Sequence, residues 1–292
     1  KEIIKESKIN FNIQTIKWGD DGSEKQSSSV VASITGVIFT MLIYMFIMIY
    51  GAMVMQGVME EKTNRIIEIM ISSVKPFDLM MGKIIGIGFV GLTQVFLWAV
   101  MTFILITGGT FFLGGGMESE ILQSSMALNT TPNMTAIAAQ QHGNEWIEML
   151  HTINFTEIGI LFIAYFIGGY LLYSSLFAAI GSAVDGQEDT QQFMLPVTLL
   201  LVFALYAGIY SMENPDGPLA FWCSMIPFTS PIVMMVRVPF EVPLWEILLS
   251  IGFLYISSIG FTWFSAKIYR VGILMYGKKP SIKEMSKWLR YK

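Results

Sequence analysis

Long stretches without a single Asp, Glu, Lys or Arg alternate in this sequence with short intervals in which the charged residues collect. The first of these stretches, residues 30–55, is rich in Met, Ile and aromatic residues. As a helix with a rise of about 1.5 Å per residue, it exceeds the roughly 30 Å hydrocarbon core of a bilayer. The 292 residues are 53% hydrophobic and 14% charged, which is more apolar surface than a soluble domain of this length can bury. We therefore expect an all-α integral membrane protein.

Five segments are long and apolar enough to cross the bilayer as transmembrane helices. They are residues 30–55, 83–113, 158–184, 191–210 and 243–268. Charged and polar residues collect in the intervals 56–82, 114–157 and 185–190 between them. Residues 114–157 contain both histidines and several acids but no Lys or Arg, and residues 185–190 form a short acidic link. Residues 1–29 are polar and rich in turn residues, which is typical of the end of a water-exposed domain.

Within residues 211–242, the stretch from Leu219 to Val236 is apolar over a length near the minimum for a crossing, yet it contains Pro227 and Pro231, four positions apart. Prolines remove backbone donors and kink helices. If this stretch enters and leaves the membrane on one side, the basic tail, residues 269–292, shares a side with the basic interval 56–82. If it crosses, the tail lies beside the loop that has no Lys or Arg. The positive-inside rule favours the first arrangement, a re-entrant external hairpin. The residues singled out in it are Pro227, Ser230, Pro231 and Arg237.

This orientation places residues 1–29 and 114–157 outside the cell and the intervals 56–82, 185–190 and 269–292 in the cytosol. An external segment ahead of the first span normally needs a preceding span that starts from the cytosol. We therefore expect six spans in the complete protein, with an external domain of which residues 1–29 are the end. The expected location is the cell (inner or plasma) membrane.

The cytosolic interval 56–82 has an amphipathic pattern, because Val58, Ile66 and Ile69 recur at helical spacing. Acids are interleaved with cations on its polar face, which favours docking onto a protein surface over docking onto anionic lipid. A helix that only anchors the span at the membrane surface is the alternative at this point. The residues expected to carry the docking are Glu60, Glu61, Lys62, Arg65, Glu68 and Ser72.

Four stretches carry a resemblance to a known family. The run GVMEEKTNRIIEIMISSVKPFDLMMGKIIG closely resembles the stretch after the second span in ABC transporter type-2 permeases, in particular the NatB-like sodium-efflux branch. The runs FAAIGSAV with EDTQQ, IPFTSPIVM and YRVGILMYGK resemble the same branch, in matching order. The resemblance implies six spans, external re-entrant helices before the last span, and a cytosolic coupling helix that sits on a nucleotide-binding subunit.

The resemblance further implies the permease subunit of an ATP-driven exporter. Its expected partners are an ABC ATP-binding subunit, a second permease copy or a paralogue, and the lipid bilayer, with no nucleic acid. ATP and magnesium are expected on the partner subunit, and no cofactor is expected on this chain. The run from Gly272 to Lys278 fits GxxxxGK, but Lys279 stands where a P-loop requires Ser or Thr. We therefore expect no enzyme activity of the chain itself.

Metal binding is not expected either. His142 and His151 are nine residues apart and match no recognised ligand spacing, and Cys223 is the only cysteine.

Few polar residues lie within the spans. Gln94 needs a partner in lipid, and we favour a structural interhelical hydrogen bond over a contact with cargo. For Arg237 we favour snorkelling to the headgroups over a role as an external gate. The candidates for a translocation path are Thr93, Gln94, Ser174 and Ser175.

The cargo stays open between two classes. Sodium is the cargo named for the NatB-like branch, but no Asp or Glu lies in the apolar part of a span to form a cage of hard oxygen ligands. Lipophilic drugs or peptides suit the apolar spans at least as well.

Two other kinds of protein remain as alternatives. A stand-alone channel or ion-coupled carrier generally places ionisable residues within the membrane, and a membrane enzyme needs a His, Asp or Glu pair at that depth. The sequence disfavours both.

Overall fold

The structure is a computed structural model that describes residues 17–18, 24–25, 29–64, 74–109 and 154–275. Two short strands, β1 (Lys17–Trp18) and β2 (Glu24–Lys25), pair in antiparallel fashion ahead of the first helix. The helices are α1 (Ser29–Thr63), α2 (Pro76–Gly109), α3 (Phe155–Ala183), α4 (Gln187–Glu213), α5 (Pro218–Met225), α6 (Ser230–Arg237) and α7 (Leu244–Gly272). A 3-10 turn, Val238–Phe240, follows α6.

Five of these helices, α1, α2, α3, α4 and α7, are long and apolar enough to cross a membrane. The expected all-α fold with five spans is thus confirmed. Helices α5 and α6 have eight residues each, and at about 1.5 Å per residue neither reaches across a bilayer. They form a helical hairpin between the last two spans.

The first span is longer than the sequence predicts. Helix α1 runs past Met55 and carries Glu60, Glu61 and Lys62 in its final turns before it ends at Thr63. No proline interrupts this part, so the backbone hydrogen-bond ladder continues into the charged interval. Three of the residues assigned to a separate coupling segment therefore belong to the span helix itself.

Helix α3 is the centre of the bundle. Some 61% of the residues in its apolar segment are buried inside the bundle, against 11% for α2. Helix α3 packs mainly on α1 and α7. Small residues permit this packing: a Cβ on Gly181 would lie 2.6 Å from the carbonyl oxygen of Met55 in α1. The backbones of α1 and α3 are consequently in direct contact near this residue.

The helices alternate in direction, so their connections gather at two ends of the bundle. The ends of α1, α3 and α7 lie together with the starts of α2 and α4, and the hairpin lies at the other end. We call the first the cytosolic end, because Lys and Arg of the sequence are concentrated in its connections, and the second the external end.

The two ends can be distinguished by labelling single cysteines in a Cys223→Ser background. We expect Val74→Cys and Leu274→Cys, both exposed, to react with a membrane-impermeant maleimide only from the cytosolic side. Glu213→Cys, at the end of α4, should react only from outside. Labelling of Leu274→Cys from outside would contradict this topology, since it requires the hairpin to cross.

Candidate functional site

The three charged residues at the end of α1 point in different directions, because successive residues of a helix are about 100° apart. Glu60 is exposed to solvent. Glu61 is partly buried, and its Oε2 lies 2.6 Å from Nζ of Lys83 in α2. Lys62 is only 1% exposed. Of the docking candidates that the structure describes, Glu60 is therefore the one that faces outward.

The remaining docking candidates, Arg65, Glu68 and Ser72, lie outside the described residues.

Lys62 is bound within the chain at the end of α3. Its Nζ donates to the carbonyl oxygen of Ser182 at 2.8 Å and lies 2.8 Å from Oδ1 of Asp185. The last carbonyls of a helix have no intrahelical donor, and the negative end of the helix dipole favours a cation there. Lys62 thus caps α3 from a different helix and joins α1 to the connection between α3 and α4.

Other contacts reinforce this junction. The hydroxyl of Thr190, in the first turn of α4, donates to Sδ of Met59 in α1 at 3.1 Å. A Cβ on Gly272 of α7 would lie 2.9 Å from Oγ of Ser182, so α7 also reaches the same place. We refer to Glu61, Lys62, Lys83, Ser182 and Asp185 as the cytosolic cluster. It brings together parts of α1, α2, α3 and the α3–α4 connection.

At the external end, Arg237 is the centre of a buried polar network, and the expectation that it snorkels to the headgroups is wrong. It is 1% exposed. Its Nε donates to the carbonyl oxygen of Pro215 at 2.7 Å, Nη1 donates to Oγ of Ser224 at 2.7 Å, and Nη2 lies 2.9 Å from Oε2 of Glu246. Because the carboxylate of Glu246 lies under the hairpin, the guanidinium is satisfied inside the protein and does not need the headgroups.

The other hairpin residues also fix it to the bundle. Oγ of Ser230 lies 2.6 Å from Oγ of Ser250 in α7. A Cβ on Gly169 of α3 would lie 2.9 Å from the ring of Pro231, so only a glycine permits this approach. Pro227 is half-buried in the turn between α5 and α6. These contacts join the hairpin to α3 and α7, and α6 also packs on α1 and α4.

The four candidates for a translocation path are not brought together. Oε1 of Gln94 accepts a hydrogen bond from Tyr50 Oη at 3.1 Å, the interhelical bond favoured from the sequence. Thr93, Ser174 and Ser175 each donate to a carbonyl of their own helix. Both serines are fully buried in α3, and Gln94 lines a cavity.

That cavity is a groove between α1 and α2 of about 230 Å³. Its lining combines apolar and aromatic side chains with the polar groups of Tyr50 and Gln94, and it contains no charged residue. The lining residues are Leu42, Met45, Phe46, Ile49, Tyr50, Met53, Val90, Gln94 and Trp98.

Removal of one partner from the external network should destabilise the protein. We expect Arg237→Leu to lower the free energy of unfolding by about 3–5 kcal/mol, because it leaves the Glu246 carboxylate buried without its cation. Arg237→Leu/Glu246→Leu should recover most of this loss. Thermal unfolding in detergent measures the effect, with Glu213→Gln, an exposed carboxylate at the same end, as control. Equal stability of Arg237→Leu and wild type would contradict the network.

Comparison with known proteins gives consistent matches. A family model described as ABC-2 family transporter protein matches residues 1–267. The chain is similar to the uncharacterized protein YhaP of Bacillus subtilis, with 31% identity over 280 residues that cover 95% of this chain and 59% of YhaP. It is 25% identical over 278 residues to the uncharacterized protein MJ1024 of Methanocaldococcus jannaschii, covering 95% of this chain and 58% of MJ1024. The chain thus spans about three fifths of the length of these relatives. No solved structure matches it.

Proposed function

This chain belongs to the ABC-2 transporter family, and on that premise we propose that it is the permease subunit of an ATP-driven exporter whose ATPase is a separate subunit. Members of the family are membrane components of transporters and not themselves catalytic, and the five apolar helices make this chain a multi-pass protein of the plasma membrane. The position of the end of α1 supports the proposal that the permease is coupled to the ATPase through this helix. This end leads directly into the interval predicted to dock the ATPase, and the cytosolic cluster ties it to three other parts of the bundle.

The proposed docking surface consists of Glu60 and the segment that follows α1, including Arg65, Glu68 and Ser72. The exposed carboxylate of Glu60 supports this assignment, since a charge at the rim of an interface steers association with a complementary partner. ATP and magnesium bind to the ATPase in this proposal, and the chain itself holds no cofactor. A second permease copy or a paralogue completes the transporter.

For the cargo we propose an uncharged lipophilic molecule. The groove between α1 and α2 supports this class, because it combines an apolar lining with one amide and one hydroxyl, as small-molecule sites commonly do. Sodium, the cargo named for the NatB-like branch, fits less well. The carboxylates of Glu61, Asp185 and Glu246 each pair with a basic side chain, so they do not offer a cage of free oxygen ligands.

Coupling is tested with an ABC ATPase encoded beside this chain, copurified with the intact permease in lipid nanodiscs. We expect the ATPase to copurify and its hydrolysis to be stimulated. Glu60→Lys should weaken binding by about tenfold, since reversal of a rim charge opposes association. Glu213→Lys, the same exchange at the external end, is the matched control and should bind like wild type. If no ATPase associates and the purified chain alone conducts ions in liposomes, the chain is a stand-alone channel or carrier.

The cargo class is tested by ATP-driven transport in proteoliposomes of the permease with its ATPase, using the neutral dye Nile red and radioactive sodium in parallel. We expect movement of the dye but not of sodium. Gln94→Leu should reduce dye transport, because the groove loses its amide, whereas Thr93→Val should not, because that hydroxyl is bonded within its own helix. ATP-driven sodium transport without dye transport would overturn the proposed cargo.

A further inference from the structure

Lys62 is a basic residue in the docking interval, yet its side chain is directed into the bundle. We propose that Lys62 and Asp185 form the link through which movement of the docking segment reaches α3 and α4, and that Lys62 is a positioning residue without contact to the ATPase. This inference rests on the proposed function. It is carried by the burial of Lys62, by its contacts with Ser182 and Asp185, and by the short connection that contains Asp185.

The side chain of Lys62 is buried in the protein, with 2% of its surface exposed. An ammonium in this position has no surface to offer to a second protein. Glu60, two residues earlier, is exposed. Glu60 is therefore directed toward solvent, whereas Lys62 is directed into the bundle.

The contacts of Lys62 connect α1 to the end of α3 and to the connection that leads to α4. The carbonyl of Ser182 belongs to the last turn of α3, and Asp185 belongs to the connection that ends where α4 begins at Gln187. Only residues 184–186 separate the two helices. So short a connection keeps the end of α3 close to the start of α4, so a shift of the Lys62 ammonium acts on both.

The link is also stiff. Separation of Lys62 from Asp185 would cost the buried ammonium the attraction of that carboxylate, and loss of a charged partner in a buried site is unfavourable. Two turns before Lys62, the backbone of α1 at Met55 is in contact with Gly181 of α3, which keeps the two helices in register. The pair between Glu61 and Lys83 connects α1 to α2, and little of α2 is buried in the bundle, so α2 is held less firmly than α3.

A static brace between α1 and α3 would use the same contacts, so the test needs a readout of motion in addition to stability. We would place spin labels at the exposed positions Phe103 of α2 and Leu199 of α4, in a Cys223→Ser background of the intact permease with its ATPase in nanodiscs, so that movement of α4 is measured against a helix outside the link. The distance between the labels is measured without nucleotide and with ATP and vanadate. Wild type should show a nucleotide-dependent change in this distance.

Lys62→Met and Asp185→Asn should lose this change in distance while they bind the ATPase within about twofold of wild type. Lys62→Arg should retain the change, because a cation remains at this position to cap α3 and to pair with Asp185. The matched control is Lys267→Met, which also removes a cation near the cytosolic end but one that lies over the Trp263 ring of its own helix. It should retain both binding and the distance change.

Several results would overturn the inference. If Lys62→Met weakens ATPase binding as Glu60→Lys does, Lys62 belongs to the docking surface. If Asp185→Asn, whose partly exposed side chain makes it the milder exchange, binds the ATPase and keeps the full distance change, the pair is only a brace. Absence of ATPase binding to wild type would be a different failure, because it removes the proposed function itself.

Discussion

Close contact between the backbones of α1 and α3 at Met55 and Gly181 is the constraint on which the rest of the bundle depends. It brings the end of α1 beside the end of α3, so that Lys62 reaches the carbonyl of Ser182 and the carboxylate of Asp185. A larger residue at position 181 would push α1 away and separate these groups. Packing of small residues, which depends on shape alone, thus sets the geometry of a charged junction.

At each end of the bundle, a buried cation is paired with a carboxylate from another element. At the cytosolic end Lys62 is matched by Asp185, and at the external end Arg237 is matched by Glu246. In both cases the partners come from different elements, so each pair joins parts of the chain that the bilayer alone would not hold together. This arrangement leaves the middle of the spans to apolar packing, with Tyr50 and Gln94 as a polar pair beside the groove.

The sequence predicts the spans well because one property, the absence of charge over a long stretch, determines whether a helix can lie in hydrocarbon. It also predicts the hydrogen bond of Gln94, since an amide in lipid needs a partner. It does not predict the end of α1, because nothing in the charged interval prevents the helix from continuing past Met55. The environments of Lys62 and Arg237 depend on partners supplied by other elements. For Arg237 a signal was present: Glu246 is the acid that opens an otherwise apolar span.

We propose that the end of α1 meets an ATPase, with Glu60 directed toward it and Lys62 directed into the bundle. Photocrosslinking tests this arrangement, with a photoreactive amino acid at position 60, 62 or 213 of the permease in complex with the ATPase under turnover. We expect a crosslink to the ATPase from position 60 and none from positions 62 and 213. A crosslink from position 213, or the absence of one from position 60 in a complex that hydrolyses ATP, would contradict it.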